Sequence, residues 1–302
     1  MPIALRGFLF AAPLAIGTAL RLEPASSRPW SRVTRDWASL ALILVGYWSL
    51  QSFSSPPSEK WQTLWVGWDR QVLTGLRAAL EFAGPVVPFV LESLYLLLYA
   101  IPPIALGVLY ACGARKQAEH YLLVLFLGTF SAYALLLVIP VESPRVAFPG
   151  ADLPGFHGFP RTVNTWLLDR FDISTSVFPS GHVAVAFSSA FGLWTVLRHR
   201  PRIPAMAFLV ALLVYTATVY GRYHYAVDGL TSILVTFVAW RAAVWLKPSM
   251  ASAESRPIAR ETQSAGASLS VGGNDAAAKA QHGLERARCQ NATRETERPA
   301  HS

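Results

Sequence analysis

The sequence predicts an all-α fold, a polytopic bundle of membrane-crossing helices, and three observations predict it. Of the 302 residues, 53% are hydrophobic and only 15% are charged, where a soluble domain of ordinary composition carries about 25% charged residues. Apolar runs of about 17–25 residues recur along the chain, the length that crosses a hydrocarbon layer as a helix. Between them lie short polar connections with Arg, Lys, Pro and Gly, the residues that punctuate helices and bias orientation. The formal charge of +8 belongs to basic loops and a basic tail, and no nucleic-acid partner is expected. Cys112 and Cys289 fall far apart in segments expected to face the cytoplasm, so no disulfide is expected, and no residues have metal-ligand spacing.

The elements follow in chain order. Residues 3–20 are apolar but interrupted by Arg6 and Pro13, a pattern that fits a signal sequence, an interfacial helix or an extra span alike. A basic patch of Arg21, Arg28, Arg32 and Arg35 follows, and residues 37–53 form the first expected span of the core. Residues 61–82 mix a Trp61, Leu64, Trp65, Trp68 stripe with Asp69, Arg70 and Arg77; such a segment is expected to lie in the interface, tryptophans at headgroup level. After Gly84-Pro85 come spans over residues 86–111 and 121–139, the former carrying Glu92, Tyr95 and Tyr99 on one helix face. A carboxylate inside a span faces the bundle interior, either marking function or pairing structurally.

Residues 140–179 make one long polar connection of about 40 residues, and connections of that length without an element of their own are usually functional. Spans over 183–197, 203–220 and 227–246 complete six. The basic patch before residue 37 and the basic loops at 113–120 and 198–202 alternate to one side, expected to be cytoplasmic. The tail, 247–302, contains no Phe, Tyr or Trp and is expected to be cytoplasmic and disordered, since it buries too little apolar surface to offset chain entropy. Asn291-Ala292-Thr293 matches a glycosylation sequon, but in such a tail the match is read as chance. The expected organisation is thus an N-terminal segment (1–36), a six-span domain (37–246) and a tail (247–302).

Chemistry concentrates where two of these spans begin. Phe178-Pro179-Ser180-Gly181-His182 opens one apolar helix and Gly221-Arg222-Tyr223-His224-Tyr225-Ala226-Val227-Asp228 opens another. Ser180 suits an N-cap, and a helix start offers unpaired N–H groups and partial positive charge to an anion such as phosphate. Gly181 lets the backbone approach closely. His224 and Asp228, four residues apart, share a helix face, so the carboxylate can set the imidazole tautomer. The antiparallel pair 183–197 and 203–220 returns the chain to its starting level, which places His182 and His224 at one membrane face. Two histidines and a carboxylate suit a two-step phosphoryl transfer, one ring attacking phosphorus and the other protonating the leaving oxygen.

The two stretches resemble the second and third signatures of the type 2 phosphatidic acid phosphatase superfamily, and the resemblance covers about residues 60–246. It implies a six-helix membrane fold with lipid-phosphatase-like topology, no metal or other cofactor, and a phosphohistidine intermediate. It also implies His224 as nucleophile, Asp228 as its orienting partner, His182 as general acid, and Ser180 and Gly181 as phosphate holders. The soluble vanadium haloperoxidases share the site, but the spans argue against that branch. Val138 stands where the first signature has its Lys, Arg145 is followed by Val146 rather than Pro, and Thr218 fills a third-signature Arg slot. This variant pattern looks more like the branch of inositol phosphorylceramide synthases and inositolphosphotransferases. Arg145 and Arg222 are the candidate phosphate-binding cations. In a continuous helix Arg222 would point about 200° away from His224, so it serves only if that turn is not helical.

The expected function is hydrolysis of a lipid phosphate or lipid diphosphate at the extracytoplasmic headgroup level of the plasma membrane. With an alcohol in place of water the same site becomes a transferase. A rival of another class is a membrane transporter or scaffold whose histidines are structural.

Overall fold

The computed structural model describes residues 29–53, 55–150, 153–173 and 176–254. The expected N-terminal apolar segment at 3–20 lies outside the described residues, as do Cys289, Asn291 and most of the tail. The described residues form helices and turns without a strand: α1 (Pro29–Ser39), α2 (Ala41–Leu50), α3 (Glu59–Phe82), α4 (Val86–Leu97), α5 (Ile101–Ala111), α6 (Ala118–Leu136), α7 (Pro144–Ala147), α8 (Phe159–Phe171), α9 (Gly181–Val196), α10 (Arg202–Tyr220) and α11 (Ala226–Glu254).

Among the described residues, four stretches are long and apolar enough to cross a membrane: Val86–Ala111, Arg115–Leu136, Arg202–Tyr220 and Ala226–Leu246. These are four of the six expected spans. The fifth, α9, has 16 residues, a rise of about 24 Å against a hydrocarbon layer of about 30 Å. The sixth, 37–53, is shared between α1 and α2 and ends in a 3-10 turn at Gln51–Phe53. Its first part belongs to a polar helix whose Asp36 is buried, pairs with Arg35 and accepts from the Tyr110 hydroxyl at 2.7 Å. Thus α1 is tied to α5 by a polar contact as well as by Trp37 packing on Tyr110.

Local chemistry explains the other departures. Val86–Ala111 is not one regular helix: Leu98–Ala100 is a 3-10 turn, because Pro102 and Pro103 cannot donate back to the preceding turn. The Pro102 carbonyl instead accepts from the Tyr121 hydroxyl at 3.1 Å. The helix expected over 61–82 is present as α3, but its buried stripe is Trp65, Asp69 and Leu73, while Trp68 is 66% exposed. Asp69, expected to interrupt the apolar face, is at its centre. The long connection 140–179 holds two helices of its own, α7 and α8. Pro160 near the start of α8 suits a first helical turn, and Pro160, Asn164 and Leu168 form its buried face. The last helix runs through Glu254, past the boundary expected at 246.

At the centre stands α9, almost wholly buried, packed chiefly against α6 and α10. Its small residues allow the backbones to approach. A Cβ at Gly192 would meet the Tyr121 ring at 2.7 Å and its carbonyl at 3.2 Å, and one at Gly128 of α6 would meet Ser188 Oγ at 2.2 Å. This close seam fixes the depth of the α9 N-terminus, and α10 returns the chain from the far end to the same level. The starts of α9 and α11 therefore meet.

Candidate active site

Ser180 caps α9: its hydroxyl accepts from the Val183 N–H at 3.3 Å. Its own N–H donates to the Asp228 carbonyl at 3.2 Å, and Ser232 Oγ lies 2.8 Å from the carbonyl oxygens of both Ser180 and Asp228. The two helix starts are thereby tied backbone to backbone. Ser180 is fully buried, so its hydroxyl serves the cap and it shapes the site through the helix start it holds. Gly181 does face the site, and a Cβ there would meet the Tyr133 ring at 2.9 Å.

The α11 start is built from a turn. Arg222 has φ +64, which ends α10 and turns the chain sharply before His224. Asp228 reaches back to accept the Tyr225 N–H at 2.9 Å, the reciprocal half of a capping box. Asp69 of α3 accepts the Ala226 N–H at 3.0 Å and pairs through its other oxygen with Arg222. The turn is non-helical, the condition for Arg222 to serve the phosphate, yet its guanidinium is spent on Asp69 and both side chains are buried.

The two histidines meet. His182 Nδ1 lies 3.1 Å from His224 Nε2, with ring centroids 5.4 Å apart and planes at 70°. His224 Nδ1 lies 3.1 Å from the Val177 carbonyl and 3.3 Å from Asp228 Oδ2. A carbonyl only accepts, so Nδ1 carries the proton and Nε2 keeps its lone pair, turned toward His182. Orientation of His224 is thus shared between the carboxylate read from the sequence and a backbone carbonyl that no side-chain pattern signals. Burial pushes the His224 pKa down to about 4, against smaller raising effects from Asp172 and the Val177 carbonyl.

Arg145 of α7 lines the same small cavity as both rings, together with Asp172, Ser176 and Gly181. Its guanidinium bonds Asp169 at 2.9 Å and Asp172 at 3.0 Å. Burial works against that charge, but hydrogen bonds to Asp172 and Asp169 outweigh it and raise the pKa. Its backbone N–H donates to the Arg222 carbonyl at 3.1 Å, so the α10–α11 turn positions Arg145 even though Arg222 itself points elsewhere. Asp172 also accepts from the Tyr47 hydroxyl. Sequence reasoning missed Asp172 and Tyr47, which belong to no motif.

Glu92 of α4 is 1% exposed and fully engaged: Arg161 Nη1 at 2.8 Å, the Tyr223 hydroxyl at 2.7 Å and Asn164 Nδ2 at 2.8 Å. Arg161 and Asn164, three apart on α8, present one face to it. Tyr223 stacks on Tyr95 at 4.1 Å and Tyr95 packs on His182 at 5.3 Å. Of the two readings of Glu92 the structural pairing is the one seen here: its ion pair with Arg161 clamps α8 over α4, and Tyr223 and Tyr95 lie between it and the His182 ring. Among the described residues no group of three or more His, Cys, Asp or Glu is placed to hold a metal ion.

Residues 64–242 match the PAP2 superfamily. The chain belongs to that superfamily. The match covers more than half of the chain and contains α4 to α10 whole, with both histidines, while α1 and α2 precede it. A PA-phosphatase related-family protein of Dictyostelium discoideum is 33% identical over 113 residues, which cover 35% of this chain and 20% of that protein. The chain therefore spans about a fifth of the length of that relative. No solved structure matches the chain.

Proposed function

We propose that this PAP2 superfamily member is an integral membrane enzyme that hydrolyses a lipid phosphate or lipid diphosphate through a phosphohistidine. One observation carries the reading: two imidazoles 3.1 Å apart, one of them held with its free lone pair toward the other. The phosphate replaces the direct 3.1 Å contact, the two ring nitrogens parting to admit it. His224 Nε2 attacks phosphorus while His182 donates its proton to the leaving oxygen, and the P–O bond to the lipid breaks as the N–P bond forms. Water, deprotonated by His182, then attacks phosphorus, the N–P bond breaks, and inorganic phosphate leaves. The first turn of α9 and Arg145 stabilise the added charge, with Arg145 exchanging Asp172 for the phosphate.

The basic loop joining the far ends of α9 and α10, with the basic loop at 113–120, supports an extracytoplasmic site and a cytoplasmic tail, and the membrane proposed is the plasma membrane. Thr218 in place of an arginine, with Arg222 turned to Asp69, favours a second reading in which an inositol-like alcohol replaces water and a phosphodiester forms. The test is a panel of lipid phosphates with the purified full chain in EDTA. Inorganic phosphate should be released, and vanadate should inhibit. A new phosphodiester instead of phosphate selects the transferase, and no turnover with any acceptor selects a transporter or scaffold.

The acid limb of kcat/KM provides a second measurement. A protonated Nε2 cannot attack, and burial keeps the ring neutral down to about pH 4. Activity should therefore persist below pH 6.5, where a free histidine is half protonated, and fall as pH drops through about 4. An acid limb centred near 6.5 that does not move with the phosphate pKa of the substrate would contradict this.

A further inference from the structure

A second cavity adjoins the site and differs from it in character. It has a volume of about 290 Å³ and is apolar. One wall is Trp37, Leu40 and Leu44 of the first two helices and the turn between them; the facing wall is Leu98 and Pro102 of the second span. Three residues line both this groove and the histidine cavity: Tyr47, Gly181 and His182. The hydroxyl groups gather at that shared end. Tyr47 donates to Asp172, and the Tyr99 hydroxyl lies 3.5 Å from His182 Nε2. At the other rim Leu44 and Trp37 are 41% and 39% exposed. The void is thus polar where it touches the catalytic ring and apolar where it opens sideways, the profile of an amphiphile rather than of a soluble ester.

We propose that this groove seats a single hydrocarbon chain of the substrate, and that α1 and α2 set which chain length is accepted. The inference rests on the phosphoryl-transfer reading above and adds to it the place of the tail. A volume near the lower end of ligand pockets, roughly 300–1,000 Å³, suits one chain rather than two. The helices forming one wall precede residues 64–242, while the facing wall, Leu98 and Pro102, lies within them. Tyr47 links the two halves, since the helix that lines the groove also bonds the Asp172 that holds Arg145.

The test uses full-length protein in lipid nanodiscs with straight-chain alkyl phosphates of about four to about twelve carbons. Partition into apolar surroundings alone raises kcat/KM roughly fourfold per methylene, so the groove is read from the chain length at which wild type and a groove-filling variant diverge. Ala41, exposed on the groove wall, is replaced by Trp. Ala41→Trp should reduce the ratio of long-chain to short-chain kcat/KM at least about tenfold. An alkyl phosphonate with a diazirine at its tail end, read by peptide mapping, supplies a measurement independent of turnover, and its label should fall on α1, α2 or α5. A chain-length series that is flat in wild type, or equally steep in Ala41→Trp, overturns the proposal. So does label that reaches the groove only after removal of residues 1–28, which would make that segment the occupant. Groove labelling without turnover of any phosphate ester keeps the tail site and overturns the catalytic reading instead.

Discussion

His224→Ala is expected to lower phosphate release by about 10⁴-fold or more and to abolish an acid-labile phosphoenzyme. The expected loss is large because in the proposed mechanism this side chain supplies the bond-forming atom. His182 Nδ1 faces the same gap, but its ring is held by Tyr95 and Tyr99 rather than by a carboxylate and a carbonyl that fix one tautomer. The measurement is radiolabelled substrate quenched in alkali, where phosphohistidine survives, followed by peptide mapping. Label on residue 224 in wild type and none in the variant is the expected pair. Phosphate release at the wild-type rate from His224→Ala would end the mechanism, whatever the substrate.

Asp69→Ala should produce the largest loss of stability, about 3–5 kcal/mol, because it leaves a buried guanidinium uncompensated. Native domains are stable by only about 5–15 kcal/mol, so a loss of this size brings the fold near its limit. Asp69 is 1% exposed and Arg222 2%, which leaves water little access to replace the lost partner. The same substitution strips the acceptor from the Ala226 N–H at the start of α11. The Arg222 carbonyl in turn holds the Arg145 backbone, so the effect reaches both halves of the site. A thermal unfolding scan in detergent reads the stability change. Replacing both partners by leucine should recover part of it, since an apolar pair leaves no unpaired charge. A melting point unchanged in Asp69→Ala would show that the pair carries no weight.

Much of the candidate site was legible because it is local. Ser180, Gly181 and His182 are consecutive, and His224 and Asp228 sit one helical turn apart, so helix geometry alone gives their relations. Their meeting was also legible, because two antiparallel helices joined by a short loop return the chain to its own level. The span count was less so. Hydropathy reads composition and not length of regular helix, and it passed over the polar start of α1 and the brevity of α9. Asp69 looked like an interruption of an apolar face because its partner, Arg222, lies 153 residues away.

From sequence alone came the all-α class, four helices long and apolar enough to cross a membrane, the superfamily resemblance and the histidine pair, since each depends on composition or on residues within a turn or two of one another. Tertiary structure alone decided where the arginines go. A guanidinium on a long, flexible stem pairs with whichever buried carboxylate the packing brings near, and neither the Arg145–Asp172 nor the Arg222–Asp69 partnership follows from spacing. The apolar groove is likewise a property of packing: its walls come from helices far apart in the chain, and only the folded bundle sets the gap between them.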